Sequence, residues 1–229
     1  MKSSKNYFFL AFVLMTLSFT SAKSQDKQKE QEKINASIKV LQDFGQMQDE
    51  IPKQLMKITQ GIIVVPKLIN AGFVVGGKRG KGIALVKMED GTWSNPVFVT
   101  ITGGSVGLQA GVQAVDLVLV FKNRETLQNI GERSFTLGGD VSVTAGPVGR
   151  SSTASTDGKL EAEVYSYSRS KGLFAGISLG GSVIGIDEDA NQAFYGENES
   201  AQTIFENTAS PSDNVQQLKE ALNQLIAVQ

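Results

Sequence analysis

Two glycine-rich stretches contain residue patterns that catalytic sites use. The first, Gly103–Gly107 with the sequence GGSVG, matches the G-x-S-x-G pattern of serine hydrolases. That pattern exposes a serine hydroxyl on a strand-to-helix turn beside a histidine base. The chain contains no histidine, and the next residues, Leu108–Val112, alternate like a strand. We therefore interpret this stretch as a glycine bend in a β structure that carries a small residue.

The second pattern, Gly72–Lys78, matches G-x-x-x-x-G-K at the start of a phosphate-binding P-loop. A complete P-loop continues with a Ser or Thr that binds magnesium and then with a helix. Here Arg79 stands in place of the Ser or Thr, and Ile83–Val86 has the composition of a strand. The chain also lacks cysteine, the commonest thiol nucleophile. The sequence therefore predicts a non-enzymatic protein with no catalytic residue, no metal site and no cofactor.

Basic residues in glycine-rich turns are the candidate anion-binding residues. They are Lys78, Arg79, Lys81, Arg150, Arg169 and Lys171. The first three lie within Gly76–Gly82, a predicted hairpin turn in which backbone N–H groups and three cations would meet one anion. Arginine suits phosphate because its planar donors bind two oxygens at once. The alternative is a solvated hairpin tip with ordinary surface cations.

The glycines are concentrated in one block of the chain. Of 24 glycines, 23 lie between Gly61 and Gly196, where they interrupt short runs of Val, Ile, Leu, Phe and Thr. Glycine persists in such runs where a bulge, a bend or a tight turn is needed. The fold class predicted from this block is α+β, with a strongly bent antiparallel β core that is barrel-like or a sandwich.

Amphipathic helices are predicted on both sides of the β core. Asp26–Phe44 has helical periodicity and Gly45 is a reasonable end. Its apolar face consists of Ile34, Ile38, Leu41 and Phe44. A last helix is predicted to begin near Ser210, with Pro211 as its first helical residue. The apolar face of the first helix suits either partial insertion into a membrane or docking on the β core.

The first 24 residues have the pattern of a secretory signal. Lys2 and Lys5 precede an apolar run, Tyr7–Phe19, and small residues at Ala22 and Ser24 precede a plausible cut. A retained anchor is the alternative, but the run is shorter than the roughly 20 residues of a membrane span. We expect an exported protein, periplasmic or extracellular, with one domain from residue 25 to residue 229. Its predicted parts are N-terminal helices (25–60), a β core (61–196), and a connecting segment with the C-terminal helix (197–229).

The net charge of the mature chain would be slightly negative. Of the 22 basic residues, Lys2, Lys5 and Lys23 would leave with the signal, and 19 would remain against 23 acidic residues. This balance argues against broad electrostatic capture of nucleic acid. Any attraction to anionic lipid must therefore come from a local patch.

Six segments of the chain, in this order and spacing, resemble the SYLF domain, a lipid-binding family found in bacteria and in eukaryotic cortical-actin and endocytic adaptors. The segments are Ala71–Phe73, Gly91–Pro96, Asp116–Phe121, Thr136–Gly139, Gly146–Arg150 and Tyr165–Gly176. Both flanking helices also look like those of the eukaryotic members. The resemblance therefore covers nearly all of the expected mature chain.

This resemblance implies binding to phosphoinositide or other anionic membranes, and in some fungal members binding and bundling of actin. In eukaryotic members a basic amphipathic helix before the β core helps insertion. The counterpart here, Lys27–Phe44, departs from that pattern because Glu30, Glu32 and Asp43 dilute its lysines. An exported protein of bacterial type meets neither cytosolic phosphoinositide nor actin in its own cell, so actin is not a predicted partner.

The sequence thus predicts a non-enzymatic, exported protein that associates with anionic lipid or membrane surfaces through its basic turns and its amphipathic helix. The alternative is a structural or interaction protein of the cell envelope, which assembles with itself or with another envelope protein and has no lipid ligand.

Overall fold

The protein is described here from a computed structural model. The described residues are 4–47, 51–131, 134–146, 161–171, 173–174, 176–196 and 199–227. The predicted fold class is confirmed, because helices flank a strongly bent β core at both ends.

The helices of the described part agree closely with the sequence pattern. They are α1 Ser4–Gly45, α2 Lys53–Ile58, α3 Arg124–Gln128, α4 Glu188–Tyr195, α5 Ala201–Glu206 and α6 Asp213–Ala227. The predicted helix Asp26–Phe44 lies within α1, which ends at Gly45 as expected. The last helix, α6, begins at Asp213 and not at Pro211.

Two long strands form the centre of the β core. The strands are β1 Gly61–Val86, β2 Val97–Phe121, β3 Phe135–Thr136, β4 Val143–Ala145, β5 Val164–Ser170, β6 Leu173–Phe174 and β7 Val183–Ile186. β1 and β2 pair antiparallel along almost their whole length, from Gly61 opposite Phe121 to Ala84 opposite Val97. We call this pair the ribbon. Its register is irregular between Val65 and Leu68 and again after Gly72.

The predicted hairpin turn at Lys78–Lys81 is wrong. These residues lie inside β1, where Lys78 is opposite Gly103 on β2. The strand bends sharply at an earlier point, because a Cβ built on Gly72 would lie 2.6 Å from the Cα of Gly76. A cluster of glycines and charges has the composition of a turn, but here it belongs to a continuous strand.

The ribbon folds back so that the two halves of β1 touch. A Cβ on Gly82 would lie 2.2 Å from the carbonyl oxygen of Val64, and a Cβ on Gly80 would lie 2.6 Å from Cγ1 of Val65. Side chains at these two positions would collide with the first half of the same strand. The glycines between Gly76 and Gly82 therefore include residues that allow close backbone approach, as glycine does at bends in sheets.

The short strands extend the ribbon from the free side of β2. β7 pairs with Val99–Thr102 and β5 pairs with Asp116–Phe121, both antiparallel. β3 adds to β7, and β4 and β6 add to β5. The pairing of β4 with β5 is parallel, so the sheet is mixed and departs from the predicted antiparallel core in this one described pair.

Both faces of the sheet are buried where the ribbon begins and ends. Ile62 and Val64 belong to a core cluster that also contains residues of α1 and α6. Ile63 and Val65 belong to a second cluster, which includes Phe205 of α5. A strand covered on both faces has a continuous apolar run in place of an alternating one. This explains why Ile62–Val65 is apolar throughout.

Lys219 of α6 is largely buried and forms hydrogen bonds with the loops that contain Asn95 and Thr208. Its ammonium group donates to the side-chain oxygen of Asn95 at 2.9 Å and to the carbonyl of Thr208 at 2.8 Å. Burial lowers the pKa of Lys219 to about 8 from its ordinary value of 10.5. Burial also lowers the pKa of Lys78, whereas it raises the pKa of Tyr167 and Tyr195.

These pKa shifts predict that the protein gains stability between about pH 8 and about pH 10. In that interval the unfolded chain binds more protons at Lys219 than the folded chain, so the free energy of unfolding rises with pH. Above about pH 10 the two tyrosines reverse the trend, because they ionise more readily in the unfolded chain. Urea unfolding at a series of pH values measures this. The variant Lys219→Met should lose most of the rise and keep the part due to Lys78, and an unchanged rise in the variant would contradict the assignment.

Candidate functional site

The apolar face of α1 lies inside the core. Ile34, Ile38, Leu41 and Phe44 are at most 8% exposed and belong to the cluster that joins α1, α6 and the sheet. In this structure the face is docked and is not free to enter a membrane. Among the described residues, no helix combines the length and the apolar composition that crossing a bilayer requires.

Lys78 has an internal partner. The residue is 5% exposed, and its ammonium group donates to the carbonyl oxygen of Ser178. It lies on the inward face of β1, together with Gly80 and Gly82, which are also buried. Lys78 therefore supports the segment before β7 and does not point towards solvent, where an anion would arrive.

Arg79 and Lys81 lie on the opposite, outward face of β1. Lys81 forms an ion pair with Asp187 at 2.7 Å, which links the strand to the residue that precedes α4. Arg79 is exposed. The sequence predicted that all six candidate cations would be accessible to solvent, and Arg79 is.

Arg169 connects three elements. Its guanidinium group forms ion pairs with Asp43 of α1 and with Asp116 of β2, the latter at 2.9 Å. The same group lies over the ring of Phe44, 5.8 Å from the ring centre. Burial alone would raise the pKa of the Asp43 carboxyl, but hydrogen bonds from Lys39 and Arg169 hold it below its ordinary value. Arg169 thus holds α1 against the sheet.

Lys171 lies in the turn between β5 and β6. It is exposed and has a left-handed backbone conformation, with φ of 51°. Such a conformation is uncommon for a residue other than glycine and marks a tight local turn. Arg150, the last predicted cation, lies outside the described residues.

The predicted cations therefore occupy separate environments. In the described part of the chain, Lys78 contacts Ser178, Lys81 contacts Asp187, and Arg169 contacts carboxylates of α1 and β2. No described hydrogen bond or ion pair joins two of these cations to one shared group. Lys78, Lys81 and Arg169 thus each have a separate internal partner, and the anion-binding role of the set stays a prediction.

The two motifs that resembled catalytic loops both lie in the ribbon. Gly103–Gly107 is part of β2 and Gly72–Lys78 is part of β1. Neither motif is followed by the helix that a nucleophile elbow or a P-loop requires. Both motifs are therefore glycine-rich parts of continuous strands.

A cavity of about 860 Å³ lies between the middle of α1 and α4. Lys27, Lys81, Asp26 and Asp189 are among its lining residues, and the ammonium group of Lys27 lies 5.8 Å from the ring centre of Phe194. Charges of both signs line the cavity, so it presents no net attraction for an anion.

The exposed outward face of the ribbon was not predicted from the sequence. From residue 67 to residue 81 of β1, the odd-numbered side chains that the structure describes are mostly exposed, among them Lys67, Ile69, Val75 and Arg79. One feature of the sequence could have indicated this face, namely a long stretch without acidic residues. The stretch Ile51–Met88 contains seven basic residues and no Asp or Glu, and residues 91–115 carry no charged side chain.

The fold and this surface together describe an α+β domain whose candidate site is an exposed basic ribbon and not a cleft. Residues 102–225 match the model of the family described as "Ysc84: Las17-binding protein actin regulator". The chain belongs to this family, which contains the SYLF domain, so the resemblance seen in the sequence is confirmed. Its members are described as binding and regulatory proteins.

Named relatives come from fungi and animals. LAS seventeen-binding protein 3 of Saccharomyces cerevisiae is 37% identical over 206 residues, which are 88% of this chain and 44% of the relative. Protein YSC84 of the same yeast is 38% identical over 190 residues, 81% of this chain and 40% of the relative. SH3 domain-containing YSC84-like protein 1 of Rattus norvegicus is 31% identical over 192 residues, 81% of this chain and 56% of the relative. The chain thus spans about half the length of these relatives.

Proposed function

We propose that this chain is a non-enzymatic protein that binds anionic lipid surfaces peripherally, through the basic outward face of its ribbon. The observation that carries the proposal is the charge distribution. Seven basic residues and no acidic residue lie in Ile51–Met88, although acidic residues outnumber basic ones in the chain as a whole. Lys67 and Arg79 of this segment are exposed on the outward face of β1, which therefore carries local positive charge.

The cations that would meet the headgroups are those for which the described part of the chain shows no ion pair. Lys67 and Arg79 are exposed on β1, and Lys171 is exposed in the turn after β5. Each basic residue near an anionic bilayer contributes about 1 kcal/mol, so a group of this size supports reversible binding. Lys78 and Arg169 no longer belong to the proposed contact set, because each already has an internal partner.

The proposal keeps the expected export of the protein. Residues 1–24 would act as the secretory signal, and the protein would meet its lipid in the periplasm or outside the cell. The ligand chemistry is then an anionic phospholipid surface of the envelope. Actin is not part of this proposal, because an exported protein does not meet it in its own cell.

Vesicle flotation tests the proposal. The purified protein is mixed with phosphatidylcholine vesicles that contain or lack phosphatidylglycerol, at low and high salt. We expect it to float with the anionic vesicles only, and less at high salt because salt screens exposed charges. Equal binding to both kinds of vesicle, or binding to neither, would contradict the proposal.

Matched variants locate the electrostatic contact. Lys67→Gln/Arg79→Gln should weaken binding by about tenfold or more, since each cation contributes about 1 kcal/mol near an anionic surface. Lys29→Gln/Lys39→Gln removes the same charge from exposed positions of α1 and should have a much smaller effect. A larger loss from the α1 variant would move the contact from the ribbon to the helix.

A second candidate is a protein-interaction module without a lipid ligand. The docked apolar face of α1 favours it, because a helix that packs on the core behaves as an ordinary structural element. The description of the family as a Las17-binding actin regulator also favours protein partners. Cosedimentation with actin filaments in the absence of lipid tests the capacity that this description suggests. Filament binding without vesicle binding would support this candidate over the first.

A further inference from the structure

Two of the three most exposed large apolar residues of the described chain lie at the bend of the ribbon, and the third, Leu173, lies on β6 opposite Ser170. Val112 of β2 is 77% exposed and Val75 of β1 is 72% exposed. Ile69, 41% exposed, lies opposite Ala114, and Ala71 lies opposite Val112. Because directly opposite residues of an antiparallel pair share one face, Ile69, Ala71 and Val112 lie on one outward face of the ribbon, and Val75 is exposed beyond the bend of β1. We call residues 67–72 and 75–79 of β1 and residues 111–114 of β2 the ribbon bend.

The backbone makes the ribbon bend a tight apex. A Cβ on Gly72 would lie 2.6 Å from the Cα of Gly76, so β1 turns sharply at this point. Gly111 on β2 has φ of 145°, a conformation that other residues rarely adopt. Val75 and Val112 lie on either side of these glycines along their strands. Apolar side chains that are exposed together at an apex mark a candidate contact surface.

Cations surround the apex. On β1, Lys67 precedes the apolar residues and Arg79 follows them, and both side chains are exposed. The turn after β5 adds Lys171 from the side, since the hydroxyl of neighbouring Ser170 donates to the carbonyl of Ala114.

Asp116, at the base of the bend, already has partners. Asp116 accepts the backbone N–H of Lys67 at 3.1 Å and forms an ion pair with Arg169. The bend therefore presents aliphatic side chains at its tip and positive charge at its rim. This pattern is complementary to an anionic bilayer, in which charged headgroups cover a hydrocarbon interior.

We infer that the ribbon bend enters the headgroup region of an anionic bilayer, with Val75, Val112 and Ile69 in contact with the acyl boundary and Lys67, Arg79 and Lys171 on the phosphates. This inference rests on the proposed lipid function and assigns insertion to a β apex. Helix α1 stays docked on the core throughout.

The apex valines provide the direct test. Val75→Ser/Val112→Ser changes exposed side chains, so the thermal unfolding curve should match that of the unmodified protein. Affinity for phosphatidylcholine–phosphatidylglycerol vesicles should fall about tenfold or more, because buried apolar area supplies much of interfacial binding. The matched control Ile58→Ser alters an apolar residue on α2 that is 43% exposed and should bind normally. Unchanged affinity of the double variant would overturn the inference.

A tryptophan at the apex reports its environment. The only native tryptophan, Trp93, is 2% exposed and gives a constant background. In Val112→Trp, the emission of the added indole should shift to shorter wavelength when anionic vesicles are added, and lipids brominated on their acyl chains should quench it. A shift that depends on protein concentration in the absence of vesicles would indicate contact between two copies of the chain and would overturn the inference.

A disulfide that fixes α1 separates the two modes of insertion. The side-chain amide of Asn214 on α6 donates to that of Asn35 on α1, and the chain has no cysteine, so Asn35→Cys/Asn214→Cys gives one defined crosslink. Once mass spectrometry has verified the bond, the crosslinked protein should bind vesicles as well as its reduced form. Binding that returns only after reduction would overturn the inference in favour of α1. Failure of the unmodified protein to bind any vesicle would refute the proposed function itself, which is a distinguishable result.

Discussion

Replacement of Gly82 by alanine is expected to reduce the free energy of unfolding by about 3 kcal/mol or more, or to prevent folding. The added Cβ would lie 2.2 Å from the carbonyl oxygen of Val64 and 2.8 Å from Cγ2 of Val65. A carbonyl oxygen in a strand cannot move aside as a flexible side chain can, so the two halves of β1 must separate. Urea unfolding followed by circular dichroism measures the loss.

Gly104→Ala is the matched control for this prediction. Gly104 belongs to the same ribbon and lies opposite Gly77, but a Cβ at this position meets no atom within 4 Å. The control should therefore unfold like the unmodified protein or be slightly more stable, because alanine reduces the entropy of the unfolded chain. If both variants unfold alike, close approach of the strand halves is not the reason for the glycine at position 82.

The sequence predicted the bent β core correctly and misplaced the bend. A glycine that permits a turn and a glycine that permits close approach look identical in a single sequence. Residues 78–81 also carry three charges, which favours a solvated turn, and so the prediction interrupted β1 there. What decides the outcome is the contact of Gly80 and Gly82 with Val64 and Val65, which lie far earlier in the strand.

Helix positions were easier to predict because their signals are local. The periodic apolar residues and Gly45 predict α1, and Gly45 is its last residue in the structure. The residues of a helix do not show what its apolar face packs against, because that surface is formed by other parts of the chain or by a membrane. The spacing of Ile34 and Phe44 would be the same on a membrane and on a sheet.

The candidate site was predicted only in part, because contacts between residues far apart in the chain are not visible in a local pattern. Arg79 and Lys171 are exposed as the sequence suggested, whereas Lys78 and Arg169 have partners that lie far away in the chain. No pattern around Arg169 points to Asp43, which precedes it by well over a hundred residues. The absence of acids from Ile51–Met88 was readable in the sequence, but its meaning depends on which side chains face outward.

Phe44→Ala should lower the free energy of unfolding by about 3–5 kcal/mol, the usual cost of removing a buried aromatic ring. Phe44 is 1% exposed, lies in the core cluster and packs beneath the guanidinium group of Arg169. Its removal would leave a cavity and would also loosen the contact that holds α1 near Asp43. Chemical unfolding in lipid-free buffer measures the change.

Ile58→Ala is the control variant for the stability loss expected of Phe44→Ala. Ile58 is an apolar residue of α2 that is 43% exposed, so its truncation should cost far less than that of Phe44. A membrane-inserting face that is free in solution would behave like Ile58, and Phe44→Ala would then leave unfolding unchanged while it weakened vesicle binding. A large loss of stability instead means that α1 is part of the folded core before any lipid is present. The apolar face of α1 is then covered by the core in solution, and among the described residues the ribbon bend is the surface that we propose for bilayer contact.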